Sequence, residues 1–159
     1  MEHRSLKKYT CSSESALNSV LGALIIFVFF PFLAYEADAY IFQNTFIAYT
    51  ATASIVLAMG AGLCGGMIFS MIFNGYIVLR DVTHGAIAGA IATGAASLYI
   101  LNPAWAIISG FIAGILQGLF QNFVEKKSAI NGSIVSTVSW ILFGANGFLG
   151  GLFAAAWKD

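Results

Sequence analysis

The chain alternates between long apolar stretches and short polar breaks, and five stretches stand out: about residues 15–35, 44–73, 83–100, 104–124 and 133–157. A helix crosses the hydrocarbon layer with ~20 apolar residues, whereas a barrel strand needs ~10 in strict alternation. The stretches do not alternate, so they read as helices. This predicts an all-α, polytopic membrane bundle of five transmembrane helices over residues 15–157, preceded by a polar N-terminal segment, residues 1–14. Pro31 lies in the first span and implies a kink or an early end there. The second is longer than one crossing needs. It is therefore tilted, or broken around Gly60, Gly62, Gly65 and Gly66. Asn102-Pro103 makes a tight turn between the third and fourth spans.

Composition sharpens this picture. Of 159 residues, 59% are hydrophobic and 9% charged, and the mean hydropathy is +0.86. Soluble domains carry roughly 25% charged residues. There is no charge between Asp38 and Arg80, between Asp81 and Glu125, or between Lys127 and Lys158. Such runs cannot face water. Seven basic residues balance seven acidic ones and form no patch, which excludes nucleic acid as a default partner. Cys11 and Cys64 are the two cysteines; Cys64 sits in an apolar run and reads as a small hydrophobe, not as half of a disulfide framework.

Loop charges test the count of spans. Five crossings place Arg4, Lys7, Lys8, Arg80, Lys126 and Lys127 on one side, and Lys158, Glu36 and Asp38 on the other. The positive-inside rule then predicts the N-terminus inside, in cytosol or matrix, and the C-terminus outside. Tyr35, Tyr40, Tyr99, Trp105 and Trp157 would mark the outer interface. The stretch from Ala16 is too long for a signal peptide and lacks a small-residue cleavage site, so it reads as an uncleaved first span. Acidic Glu2 and Glu14 argue against a mitochondrial presequence. The Asn131-Gly132-Ser133 sequon falls on the inner side, where it would not be glycosylated.

Seventeen glycines require a packing explanation. Lipid supplies no hydrophobic drive between helices, so close backbone contact must do so. Four-residue spacing points to Gly62 and Gly66 on the second helix, Gly85 and Gly89 on the third, and Gly110, Gly114 and Gly118 on the fourth; Gly144, Gly147 and Gly151 form a small-residue face on the fifth. Polar groups within the spans are few. Gln43, Asn44, Gln117, Gln121 and Asn146 read first as amides that bridge helices. His84 reads as a polar cap near the inner end of the third helix, or else as a proton acceptor or partner contact. No carboxylate or cation lies mid-span, which excludes the relays of a proton pump or ion-coupled transporter. No nucleophile–base set, metal-ligand cluster or phosphate loop is present, so neither an enzyme nor a cofactor is expected.

Several segments resemble the ammonium transporter and Rh glycoprotein family. They are Phe27-Val28-Phe29-Phe30-Pro31-Phe32, the pair Asn44-Thr45, Asp81 through Gly89, Pro103 through Gly114, and Gly144-Ala145-Asn146-Gly147 with Gly150 through Ala154. Their order and spacing are similar to the second, C-terminal five-helix repeat, over about residues 20–157. The resemblance implies a fold of two inverted repeats with an ammonia path between them, and trimeric assembly. It also implies a pair of hydrogen-bonded histidines, one from each repeat. The second-repeat histidine position falls on Ser139 or Trp140, neither of which can do imidazole chemistry. Phe29 and Phe30 fall near the family's phenylalanine gate. These four mark candidate degenerate pore positions.

Two functions follow as expectations. The first is a transport-inactive, structural or accessory subunit of a larger membrane complex, with membrane lipid and other subunits as partners. A mitochondrial inner membrane is one host the sequence allows. The second is part of a channel for ammonia or another small neutral solute, completed by a second polypeptide. A homo-oligomer is the alternative assembly. A fragment of a longer gene product is a third reading.

Overall fold

A computed structural model describes residues 13–94, 96–97, 102–128 and 141–156. Helices α1 (Ser13–Phe42), α2 (Thr45–Asn74), α3 (Leu79–Gly94) and α4 (Pro103–Ser128) are followed by a π-helical turn, Ile141–Ala145, and by α5 (Asn146–Ala156). Among the described residues there is no strand, and the molecule is an all-α membrane helical bundle. Among the described residues three helices are long and apolar enough to cross a membrane: Val20–Ile41, Thr45–Asn74 and Pro103–Phe123. Phe143–Ala156 is a shorter apolar helix.

Local chemistry sets the boundaries. Asn44 caps α2 with extended backbone (φ −126°, ψ 106°), and its Oδ1 accepts from the Phe46 amide at 3.0 Å. This satisfies one of the orphan donors of the first turn. Gly75 closes α2 in the left-handed region, φ 74°, and donates its N–H to the Met71 carbonyl. Only a residue without Cβ adopts that conformation at no cost. Pro103 opens α4, where its missing N–H is no loss, and Asn102 Oδ1 accepts from the Ala104 amide at 3.0 Å.

Some expected bounds shift. α1 continues through buried Pro31 to Phe42, so no early end occurs there. α2 is one unbroken helix of 30 residues, ~45 Å at 1.5 Å per residue. That exceeds a ~30 Å hydrocarbon layer, and the expected break at the glycines does not occur. α3 starts at Leu79, ahead of the expected residue 83, and ends at Gly94, whose carbonyl accepts from Ser97 Oγ at 2.9 Å. The early start takes Asp81 into the helix, buried, with Asn74 Nδ2 donating to its Oδ2 at 3.0 Å. Ser70 fixes the preceding turn: its Oγ donates to the Tyr76 carbonyl (3.0 Å) and accepts from the Val78 amide (2.7 Å).

The core is the α2–α3–α4 triad, where backbones touch. A Cβ on Gly62 would run into the Gly85 carbonyl oxygen, and one on Gly110 into that of Ala58. α1 leans on this triad through Phe30 and Ala34, which pack on Ile55, Met59 and Ala90. α5 closes the other side, with Phe153 and Ala154 against Ala96 and Ala106.

Candidate functional site

The chemistry-bearing residues collect along one face of α4. Ser109, Gln117 and Gln121 are spaced by eight and four residues, so they line one stripe, and all are buried. The stripe covers ~18 Å along the axis. Each member meets a polar group from another helix. Thr93 Oγ1 of α3 lies 3.1 Å from Ser109 Oγ. Ser109 gives its own proton to the Ala106 carbonyl at 3.0 Å, which makes Thr93 the donor of the pair. Asn146 Nδ2 of α5 donates to Gln117 Oε1 at 2.8 Å. His84 Nδ1 of α3 lies 2.9 Å from Gln121 Oε1. With that carbonyl oxygen facing the ring, Nδ1 donates.

Three hydrogen-bonded pairs therefore form a polar seam between α3, α4 and α5. The seam holds hydroxyls, amides and one imidazole, and no carboxylate or ammonium. It can accept and donate hydrogen bonds. Gln117 Nε2 is buried and, among the described residues, has no hydrogen-bond partner. The nearest carboxyl group on α3 is that of Asp81, three residues before His84, tied to Asn74 and 3.7 Å from Arg80 Nη2. Among the described residues, no group of three His, Cys, Asp or Glu side chains is placed to hold a metal ion.

The sequence-derived candidates fall as follows. Phe30 packs into the core and faces Gly94, whereas Phe29 is 57% exposed on the outer face of α1. The two phenylalanines thus point to different surroundings. Ser139 and Trp140 lie outside the described residues. Gly62, Gly85, Gly89, Gly110 and Gly114 stand against carbonyl oxygens of neighbouring helices, Gly66 against that of Asp81, and Gly118 against the Phe69 ring. On α5 the glycine in contact is Gly150, against the Ala92 carbonyl oxygen. No described atom lies within 4 Å of a Cβ added to Gly147 or Gly151, and Gly144 is exposed in the π turn. Asn146 and Gly150, four apart, face the bundle instead.

Thr93 and Ser109 are the seam residues that sequence reasoning did not single out. The available signal is the periodic placement of Ser109, Gln117 and Gln121 on one helical face. Gln43 and Asn44 are not in the seam: Gln43 (φ 50°) forms the short turn before α2, which Asn44 caps.

A bundle of long apolar helices with a polar, hydrogen-bonded seam inside it defines an integral membrane protein of transporter-like build. The chain belongs to the ammonium transporter family: the model of the Ammonium Transporter Family matches residues 2–157. No curated protein and no solved structure matches the chain.

Proposed function

We propose that this chain corresponds to the second five-helix repeat of the family and serves as a transport-inactive, structural or accessory subunit of a larger membrane complex. The observation that supports this reading is the pairing within the seam. His84–Gln121, Thr93–Ser109 and Asn146–Gln117 each make one hydrogen bond across a helix interface. Groups used in this way hold helices together instead of lining an open path. In this reading the N-terminus lies inside, and a mitochondrial inner membrane is one candidate host.

One observation favours a second reading, in which the chain contributes to a channel for a small neutral solute completed by another polypeptide. The buried Gln117 Nε2 retains a hydrogen-bond donor that a polar guest could use.

The native assembly that holds this chain, extracted in mild detergent and reconstituted in liposomes with an internal pH dye, separates the two. The accessory reading expects an ammonia-driven pH jump no faster than in empty liposomes. A faster jump, abolished by Gln117→Leu, would establish the channel reading.

A further inference from the structure

Among the described residues, the α1–α2 hairpin stands proud of the rest of the bundle at the end opposite Arg80 and Asp81. α2 and α4 run side by side, with Ala58 level with Gly110 and Gly62 level with Gly114. From the first of these levels α2 reaches ~20 Å to Thr45, whereas α4 reaches only ~10 Å to Pro103, at 1.5 Å per residue. Phe30 of α1 lies beside Gly94, the last residue of α3, and α1 continues ~18 Å past it to Phe42. Tyr35 and Tyr49 brace the two helices of the hairpin, with ring centroids 5.1 Å apart.

Glu36 marks where the hydrocarbon ends along this hairpin. Its side chain is exposed, and it forms no ion pair among the described residues. A carboxylate in that position does not face lipid tails. Tyr40 (86% exposed) and Ile41 (65%) lie further out on α1, and Phe46 (71%) opens α2 beyond the turn. Large apolar side chains left open outside the hydrocarbon layer mark a contact surface. Glu36 and Tyr40, four residues apart, share one face of α1. Between Lys8 and Arg80 the sequence holds no Lys, Arg or His, so the tip offers acid and aromatic rings and no positive charge. We infer that the tip of the α1–α2 hairpin docks an Arg- or Lys-bearing segment of a neighbouring subunit. A cation there pairs with Glu36 and lies over the ring of Tyr40, and a guanidinium does both with its plane. Ile41 and Phe46 take up the apolar side chains beside it. The Tyr35–Tyr49 brace holds the surface in shape before the partner arrives, which lowers the cost of docking. This inference rests on the accessory reading above, in which neighbouring subunits exist, and it is independent of the polar seam.

The test uses the full chain in its native membrane, with photoreactive benzoylphenylalanine replacing Tyr40, Phe46 or, as a lipid-facing control on α1, the 64% exposed Val28. After irradiation the assembly is extracted in mild detergent, and adducts are identified by mass spectrometry. Tyr40 and Phe46 should give an adduct with one other subunit, on a peptide that contains Arg or Lys, several-fold more than Val28 does. Glu36→Lys should reduce the Tyr40 adduct several-fold. Adducts with lipid only, with a second copy of this chain, or with a peptide lacking a basic residue would overturn the proposal. So would an equal yield at Val28 or an unchanged yield in Glu36→Lys. Comigrating subunits without these adducts would overturn the docking surface alone, whereas a chain that migrates by itself on a native gel would overturn the accessory reading and the surface with it.

Discussion

His84 on α3 and Gln121 on α4 are joined through Nδ1 and Oε1 at 2.9 Å, 37 residues apart in sequence. The bond crosses the interface at the end of the bundle where Arg80 and Asp81 also lie. It makes His84 a cross-helix tie first, whatever else its ring does. A double-mutant cycle of His84→Leu and Gln121→Leu, read by unfolding in detergent micelles, should give a favourable coupling of about 0.6 kcal/mol and at most ~1.7 kcal/mol, the range for such bonds within membranes. Zero coupling would mean that the pair does not hold the helices.

Backbone contact in the triad makes a sharper contrast. Gly62 and Gly60 are two residues apart on α2. A Cβ at Gly62 meets the Gly85 carbonyl oxygen, whereas no described atom stands within 4 Å of one at exposed Gly60. Gly62→Ala should destabilise the bundle by ~1–3 kcal/mol through overpacking. Gly60→Ala should be neutral or stabilising by up to ~1 kcal/mol, because alanine has the better helix propensity. The same unfolding assay measures both.

The α4–α5 contact rests on a buried amide pair. Asn146→Ala would leave the Gln117 carbonyl without its donor, at a cost of ~1–3 kcal/mol. Replacing Gln117 and Asn146 together by leucine and alanine should cost less than Asn146→Ala alone, since no buried polar group is then left unmet. Protease accessibility of α5 gives a second readout, with the single variant cut faster than the double.

Ser70 is the hinge pin of the α2–α3 turn. Ser70→Ala removes both the acceptor for the Val78 amide and the donor to the Tyr76 carbonyl. Amide exchange at Val78 should speed up by at least tenfold, while exchange in the middle of α2 stays unchanged. Slow exchange at Val78 in the variant would show that the turn is held by other contacts.

Much of the fold was legible in the sequence because membrane helices write their length in hydropathy. The turn at Asn102-Pro103 and the start of α2 at Asn44 follow from chemistry that has few alternatives: a proline at the first helical position and a capping amide. The start of α3 was less legible. Charge alone puts a boundary at Asp81, but Asn74 and Arg80 meet that charge and let it enter the bundle. On α5, spacing offers two equally small faces, one with Gly147 and Gly151 and one with Asn146 and Gly150. Choosing between them needs the position of Ala92 on α3 and of Gln117 on α4. Half of the seam was visible as isolated amides. Its continuity was not, because Thr93 and Ser109 pass for ordinary small residues until α3 and α4 are laid together.

The central claim, that the chain is an accessory part of a larger membrane assembly, is tested most directly by its company in the native membrane. Mild-detergent extraction, native-gel separation and mass spectrometry of the band holding this chain would settle it. The account predicts that the chain migrates with several unrelated membrane subunits at fixed stoichiometry. Migration alone, or with a single protein resembling the first repeat of the family, would contradict it.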